Sequence, residues 1–350
     1  MWVRVSRSFP CPVCGRPDWC SVSENGETVK CMRVASDSSK EDATGATYFL
    51  HRMTDHVEVP SHAPRAAAAP AELAGEGDRD RAYRALISRL QLVVGHQQDL
   101  RRRGLSSEQL LTRGYRSWPP FARRREICEW VGRVTGGIDL RTVPGFVMGK
   151  FGGLTLAGGE DAYGIPCRDV EGRIVGMQLR HDRPELGSKY VFLLSTKHGG
   201  PSPGYLTHVP LHTGSTAEVR VTEGFLKSDV ATALGGVLTI GMSNCSAYRQ
   251  LPPILTGLGV RRVALCPDAD VRSNPLVSRG TLATAAALQG AGFEVSIEGW
   301  PPSCGKGIDD VLAGGRAEEI RRYAGARLGG ALRSIAAQAG VSVPGELAAV

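Results

Sequence analysis

The chain has 350 residues, a length that fits two or three domains, and 42 % of them are hydrophobic, which is enough to build a core. The formal net charge of +7 at pH 7 suits a polyanionic partner such as nucleic acid, although a basic protein without that role would look the same. The sequence has no run of about 18 apolar residues that would predict a transmembrane helix. The first residues do not resemble a signal peptide. We therefore expect a cytoplasmic protein that makes no membrane contact.

Four of the nine cysteines lie close together near the N-terminus. Their spacing is Cys11-x2-Cys14-x5-Cys20-x10-Cys31. A CxxC pair with two further thiolates can close a tetrahedral site around one zinc ion, and such a site is structural because no coordination position remains for a substrate. We therefore predict a zinc ribbon at residues 1–56. Cys20 has the least regular spacing, His51 and His56 are alternative ligands, and a redox-active CxxC is a weaker alternative.

The next two segments differ sharply in composition. Residues 57–80 are rich in Ala, Pro and Gly, which predicts a flexible linker. Residues 81–140 carry helical patterns, and Ser106 or Ser107 is a suitable N-cap for a helix that begins near Glu108. We therefore expect a helical region after the linker.

The rest of the chain predicts an α/β protein in two parts and a short tail. Residues 141–215 form a mixed α+β lobe, with a hairpin in IPCRDVEGRIVGMQLR and a further strand in KYVFLLS. Residues 216–335 alternate strand and helix, which predicts a mainly parallel four-stranded sheet with crossover helices. Residues 336–350 are the predicted tail.

Three acidic residues follow predicted strands of this sheet. Glu223 precedes Gly224 at the end of EVRVTEG, and Asp268 and Asp270 end RRVALCPDAD. Ligand sites in parallel α/β sheets lie at the carboxyl ends of the strands, and residues i and i+2 of an extended chain point the same way, about 7 Å apart. Close carboxylates repel unless a cation lies between them, so the three residues predict a magnesium site.

The later segment GKGIDDVL supplies Lys306, Asp309 and Asp310. Lys306 would contact a phosphate, and the two aspartates would add a secondary acidic shell to the metal site. The alternative is a structural role, because an aspartate beside a helix N-terminus is favourable without any ligand. The sequence leaves both interpretations open.

EVRVTEGFLKSDVATALGG, RRVALCPDAD and GKGIDDVL, in this order, resemble the TOPRIM domain shared by bacterial primases, topoisomerases and some nucleases. That domain carries a Glu-Gly after one strand and an Asp-x-Asp after another, which Glu223, Asp268 and Asp270 match. CPVCGRPDWC with the later CMR, and IPCRDVEGRIVGMQLR with GSKYVFLLS, are similar to the zinc ribbon and preceding lobe of primase-like replication proteins of phages and plasmids. The four cysteines depart from the Cys-His-Cys-Cys pattern of the better-known primase ribbon.

The resemblance implies a DNA primase-like enzyme, a DNA-directed RNA polymerase that makes short RNA primers on single-stranded DNA during mobile-element or phage replication. Its implied cofactors are structural Zn2+ and catalytic Mg2+ or Mn2+, and its implied partners are single-stranded DNA and nucleoside triphosphates. Asp268 and Asp270 would hold the metal, and Glu223 would be a further metal ligand or the general base. No GxxxxGK[ST] motif is present, so a replicative helicase would be a separate chain.

Five basic residues are candidates for contact with nucleotide or nucleic acid. Arg168, Arg180 and Lys189 would line a groove that follows the strand, or would be ordinary surface charges. Lys227 would pair with Asp229 or reach a phosphate near the helix N-terminus, and Lys306 belongs to the same set.

Other activities fit the same residues. A TOPRIM nuclease would use the same acids to activate water, and a non-catalytic single-stranded-DNA-binding adaptor would need no intact acids. A topoisomerase is disfavoured because it needs a separate tyrosine-bearing cleavage domain.

Overall fold

The computed structural model describes residues 2–41, 47–60, 72–149, 152–183, 188–244 and 247–345. The chain divides into two compact units, Met1–Ala68 and Ala69–Val350. No helix in these ranges is long and apolar enough to cross a membrane.

The first unit contains a five-stranded antiparallel sheet in the order β1-β2-β3-β5-β4. The strands are β1 Trp2–Arg4, β2 Ser21–Ser23, β3 Thr28–Cys31, β4 Ser39–Glu41 and β5 Thr47–Arg52. Side chains of β3 alternate, so that Val29 and Cys31 enter the core while Thr28 and Lys30 lie on the other face. The core holds few apolar side chains besides three of the cysteines.

The ordered part of this unit extends past residue 56, the end predicted for the zinc ribbon. Val57 and Val59 pack against the core of the unit, and Val57 N donates a hydrogen bond to Gly26 O. Gly26 has a φ of +66°, and a Cβ there would lie 2.2 Å from Val57 O, so the turn needs glycine on both counts. Residues 61–71 of the predicted linker lie outside the described residues.

The second unit begins with four helices. They are α1 Glu76–Arg89, α2 Val94–Arg102, α3 Ser107–Arg113 and α4 Phe121–Thr135. Helix α1 begins at Glu76, inside the predicted linker 57–80, so the end predicted for the linker is too late in the chain. Glu76 and Asp78 stabilise the start of this helix, because they place negative charge at its N-terminus. Ser106 is the N-cap of α3 and forms a capping box with Gln109, which confirms one of the two predicted caps.

An antiparallel sheet in the order β11-β10-β9-β6 follows, together with a small hairpin of β7 and β8. The strands are β6 Arg116–Ser117, β7 Phe146–Met148, β8 Leu154–Leu156, β9 Ala162–Arg168, β10 Ile174–His181 and β11 Tyr190–Phe192. The predicted hairpin is confirmed by the antiparallel pairing of β9 with β10. Helices α1 and α4 pack with this part of the chain around one apolar core.

A six-stranded sheet occupies the C-terminal part, in the order β12-β14-β13-β15-β16-β17. The strands are β12 Thr207–His208, β13 Glu218–Glu223, β14 Thr239–Met242, β15 Arg262–Leu265, β16 Glu294–Gly299 and β17 Arg321–Tyr323. The four central strands are parallel, as the alternating sequence pattern predicts. The two short edge strands are antiparallel and were not predicted, because they are too short to show a period-two pattern.

Five helices belong to this sheet. They are α5 Phe225–Gly235, α6 Leu251–Gly257, α7 Pro275–Gly290, α8 Ile308–Ala313 and α9 Ala326–Ala339. Helix α9 runs into the predicted tail 336–350, since Ala336 and Ala339 are buried in the core against the sheet. Residues 346–350 of that tail lie outside the described residues.

Candidate functional site

The chain reverses direction within the parallel sheet at β13. From β13 it crosses to β14 on one side, and then passes through α6 to β15 on the other side of β13. Right-handed crossovers then place α5 and α7 on opposite faces of the sheet. The carboxyl ends of β13 and β15 therefore border a crevice at a topological switch point, which is where open α/β sheets bind ligands.

Glu223 and Asp268 lie at this crevice. Val221 pairs with Leu265 in the register of β13 and β15, so Glu223 and Asp268 follow the paired residues closely on neighbouring strands. Gly224 has a φ of +105°, which lets the chain turn at once from β13 into α5. The sequence-based prediction of neighbouring acidic strand ends thus agrees with the positions that the two residues occupy.

Asp268 and Asp270 are not on an extended segment, which corrects the geometry expected for an Asp-x-Asp pair. Strand β15 ends at Leu265, and residues Ala269–Arg272 form a 3-10 turn that has Asp268 as its N-cap. Asp270 Oδ2 accepts a hydrogen bond from Asn274 Nδ2 at 3.3 Å. Asp270 Oδ1 is buried and has no hydrogen-bond partner among the described residues.

Both carboxylate oxygens of Asp268 face lysines. Lys227 Nζ forms an ion pair with Asp268 Oδ1, and Lys306 Nζ lies 3.6 Å from Oδ2. Burial would lower the pKa of Lys227, but the charge of Asp268 and a direct hydrogen bond to it raise that pKa overall. Lys227 is therefore firmly cationic and belongs to the crevice, as does Lys306.

Glu223 is an exposed residue that lies near two aspartates and two lysines. Desolvation by the surrounding crevice raises the pKa of Glu223, and the carboxylates of Asp268 and Asp270 act in the same direction, while Lys227 and Lys306 oppose them. The shift indicates a carboxylate that would be stabilised by an additional cation.

The two aspartates of GKGIDD have different roles. Asp310 Oδ2 accepts hydrogen bonds from the backbone N–H groups of Lys306 and Gly307 and caps α8, which is the structural alternative. Asp309 is 6 % exposed, and its Oδ1 has no hydrogen-bond partner in the described chain. Burial and then the negative charge of Asp310 raise the pKa of Asp309. Asp309 is thus the member of the pair that is buried near Lys227 and has a carboxylate oxygen without a hydrogen-bond partner in the described ranges.

The carboxylates fit a magnesium site in their chemistry but not as a closed cage. Only the N-terminal cysteines bring three or more ligand atoms within 4.8 Å of one another in the part of the chain that the structure describes. Magnesium keeps several waters and uses only one or two carboxylates together with phosphate oxygens. Such an ion would give the buried Oδ1 of Asp270 a partner, and its positive charge would stabilise the ionised form of Glu223, whose pKa is raised.

Three predicted basic residues lie on the antiparallel lobe, and they differ in accessibility. Arg168 is buried, and its guanidinium donates hydrogen bonds to Gly172 O at 2.9 Å and to Arg113 O at 3.3 Å. The guanidinium therefore does not line a groove, in contrast to the prediction. Arg180 pairs with Asp99 at 3.2 Å. Burial lowers the pKa of Lys189, and the charge of Arg180 lowers it further.

Asp99 and Arg103, which lie near Arg180, were not predicted from the sequence. Arg103 Nε lies 3.5 Å from Asp99 Oδ2, and both border a cavity of about 420 Å³ that also reaches Asp309 and Asp310. The signal available in the sequence was the run of three arginines after Asp99. Periodicity alone does not show which of the three faces inward.

The predicted pairing of Lys227 with Asp229 is wrong. Residues i and i+2 lie on different faces of a helix, so Lys227 points to Asp268 while Asp229 is buried on the opposite side of α5. There Asp229 Oδ1 accepts from Arg113 Nη1 and Oδ2 accepts from Tyr115 OH, each at 2.5 Å. No local pattern indicates this cluster, because Asp229 is more than 100 residues from both Arg113 and Tyr115.

The four cysteines of the first unit form one compact group. Cys14 Sγ lies 3.7 Å from Cys20 Sγ, and Cys20 Sγ lies 3.9 Å from Cys31 Sγ. Tetrahedral coordination at a Zn–S distance of about 2.3 Å requires about 3.8 Å between sulfurs. Cys20 is thus central to the group, and neither alternative ligand belongs to it: His51 Nε2 is engaged with Val34 O, and His56 is exposed.

Backbone and side-chain donors surround the thiols. Cys20 Sγ accepts from Met32 N, and Cys31 Sγ accepts from Arg33 N and Val34 N, at 3.3–3.4 Å. The Arg33 guanidinium lies 3.9 Å from both Cys14 Sγ and Cys20 Sγ. These donors would offset the negative charge of four thiolates around a zinc ion and would orient the ligands.

No family model and no curated protein matches the sequence. Among solved structures, the chain is similar to the zinc-binding and RNA polymerase domains of Aquifex aeolicus primase, with a TM-score of 0.51 and 12 % identity over 93 % of this chain and 77 % of that one. It is similar to the RNA polymerase domain of Mycobacterium tuberculosis primase DnaG, with a TM-score of 0.53 and 14 % identity over 74 % and 86 % of the two chains.

The same Mycobacterium domain in complex with a double-stranded DNA oligomer that has a 6-nucleotide overhang gives a TM-score of 0.50 and 14 % identity, over 79 % of this chain and 96 % of that one. At these identities the similarity shows a shared fold, which combines a cysteine-bearing unit with a larger α/β unit.

Proposed function

We propose that the chain is a DNA primase-like nucleotidyltransferase that makes short RNA primers on single-stranded DNA, in the replication of a phage or plasmid. Its TOPRIM domain would span residues 216–335, after a lobe at 141–215. The observation that carries the proposal is the placement of Glu223 and Asp268 at the carboxyl ends of adjacent parallel strands, at the switch point of the sheet. The fold shared with primase RNA polymerase domains supports it.

The acidic residues would hold the catalytic ion. Asp270 offers a buried oxygen without a partner, and Glu223 and Asp268 stand beside it at the sheet edge. Bound Mg2+ or Mn2+ would neutralise triphosphate charge and lower the pKa of an attacking hydroxyl. Glu223, with its raised pKa, is suited to take a proton from a nearby group or to act as a ligand.

Cationic side chains of the larger unit would bind the phosphates. Lys306 has 68 % of its side chain exposed and lies at the edge of the acidic crevice, so it would meet a triphosphate there. Arg103, Arg180 and Lys189 cluster around Asp99 and would contact nucleotide or template phosphates. Arg168 is left out of this set because its guanidinium is bound to backbone carbonyls.

The cysteine-bearing unit would bind zinc and contact the template. Its outer sheet face presents Trp2, Lys30 and Tyr48, with Lys30 Nζ 4.3 Å from the Trp2 ring centre and 4.8 Å from the Tyr48 ring centre. Aromatic rings with interleaved cations on a flat sheet are suited to stacking with unpaired bases. The proposed partner of this face is single-stranded DNA.

The test supplies single-stranded DNA, the four ribonucleoside triphosphates and Mg2+ or Mn2+, and looks for short RNA products. We expect products from the unsubstituted chain and at least a hundred-fold less from Asp268→Asn and Asp270→Asn, since removal of charge-stabilising groups costs about two to three orders of magnitude. Glu129→Gln on the exposed face of α4 is the control. Degraded template without primers would instead identify a nuclease, and binding without either product would identify an adaptor; both results contradict the proposal.

A further inference from the structure

The ammonium group of Lys227 lies inside the acidic crevice, where a cation is expected. Its ion pair with Asp268 Oδ1 leaves only 18 % of the lysine side chain exposed. Lys306 is the other ammonium near this carboxylate, but 68 % of its side chain is exposed. Lys227 is therefore enclosed by the protein, whereas Lys306 is open to solvent.

Gly307 makes room for the side chain of Lys227. A Cβ atom at residue 307 would lie 2.8 Å from Lys227 Cε and 2.9 Å from Lys227 Cδ, and 2.4 Å from Asp309 Oδ1. The φ of Gly307 is −109°, which any residue can adopt, so space and not backbone conformation requires glycine here. The segments EGFLK and GKGIDD, far apart in sequence, thus meet in one packing arrangement that fixes where the ammonium lies.

Negative charge in the crevice exceeds what Lys227 can balance. Asp309 is 6 % exposed and its Oδ1 has no hydrogen-bond partner within the described ranges, and Asp270 Oδ1 is in the same condition. A buried carboxylate oxygen without a partner is costly. The enclosed ammonium of Lys227 is therefore not enough to balance the buried carboxylates around it.

We propose that Lys227 permanently occupies one of the two cation positions of this site, so that the chain binds one catalytic divalent ion where two-metal enzymes bind two. The inference rests on the function proposed above, because it assigns the cations of the same site. The ammonium pairs with Oδ1 of Asp268, and the other oxygen of Asp268, Asp270 and Glu223 remain for the single divalent ion. Lys306, which is not enclosed, stays available to phosphates.

The experiment counts Mn2+ ions bound by the full-length, zinc-loaded chain, from the electron paramagnetic resonance signal of free Mn2+ during a titration without DNA or nucleotide. We expect one Mn2+ per unsubstituted chain. Lys227→Met keeps most of the apolar stem but removes the charge, and we expect it to bind two. Lys306→Met is the matched control, because it removes the other ammonium beside Asp268, and we expect it to bind one.

Two Mn2+ ions on the unsubstituted chain would overturn the inference, because the lysine would then have left its place; this count does not depend on how well a variant folds. One ion on both the unsubstituted chain and a folded Lys227→Met variant would also overturn it. No bound Mn2+ at all would contradict both the inference and metal-dependent catalysis. The expected counts without primer synthesis would contradict the proposed function and leave the inference standing.

Discussion

Arg113 and Asp229 form a buried ion pair that joins helix α3 to helix α5, with 2.5 Å between Nη1 and Oδ1. Tyr115, the residue before β6, and His208, in β12, contact the same carboxylate. Helix α5 begins at Phe225, two residues after Glu223, and carries Lys227 on its other side. A charged cluster outside the crevice thereby fixes the helix that orients the proposed active site.

Replacing Asp229 with asparagine is expected to lower the free energy of unfolding of the larger unit by about 3–5 kcal/mol, because the Arg113 guanidinium would stay buried without its counter-charge. Urea unfolding followed by circular dichroism measures this loss. Glu129→Gln, which breaks an exposed pair with Arg125, is the control and should change stability little. Equal effects of the two substitutions would show that the buried pair does not stabilise the fold.

The same cluster predicts a dependence of stability on pH. Burial would raise the pKa of Asp229, but the charges of His208 and Arg113 lower it overall, below its ordinary value of 3.8. A carboxyl whose folded pKa is depressed contributes stability above its unfolded pKa and loses that contribution as pH falls through the folded value. The unfolding free energy should therefore fall more steeply below about pH 4 in the unsubstituted chain than in Asp229→Asn. Parallel pH curves would contradict this assignment.

Zinc should hold the cysteine-bearing unit together. Metal analysis of the purified chain is expected to give about one zinc per chain. Cys31→Ser removes a buried ligand and should lose the metal, and with it the protection of residues 2–60 from proteolysis. Cys304→Ser lies outside the cysteine group and should keep the metal. Zinc retained by Cys31→Ser at full occupancy would show that this thiol is not a ligand.

The aromatic face of the first unit should contribute to DNA binding. Trp2→Ala and Tyr48→Ala are each expected to weaken binding of a short single-stranded DNA by about 1–3 kcal/mol, the range found for base–aromatic stacking. Fluorescence anisotropy at one fixed salt concentration measures the affinity. Val34→Ala, an exposed apolar side chain away from the sheet strands, is the control. Unchanged affinity in both aromatic variants would move the template contact to another surface.

Local patterns predicted much of the architecture. The spacing of Cys11 and Cys14, the cap at Ser106, the hairpin of β9 and β10 and the alternation of β13 to β16 with helices are local signals, and the structure contains each of them. The edge strands β12 and β17 were not predictable, because two or three residues show no period.

Contacts between distant segments set the limits at the site. The place of Lys227 depends on Gly307, and the burial of Arg168 depends in part on the carbonyl of Arg113. Neither contact is visible in the pattern of a single helix or strand. The turn after Asp268 likewise changes an expected pair of parallel carboxylates into two differently placed ones. The residue types of a site were thus predictable, while their partners were not.

Templated RNA synthesis distinguishes a primase from a nuclease and from a DNA-binding adaptor, and it can be measured by leaving out one nucleotide. A single-stranded DNA of known sequence is incubated with the chain, Mg2+ or Mn2+ and labelled ribonucleotides, with one of the four nucleotides left out. We expect RNA products that stop one position before the omitted nucleotide is required by the template, and products that lengthen when this nucleotide is restored. Products of the same length whichever nucleotide is omitted, or no RNA at all, would contradict templated synthesis.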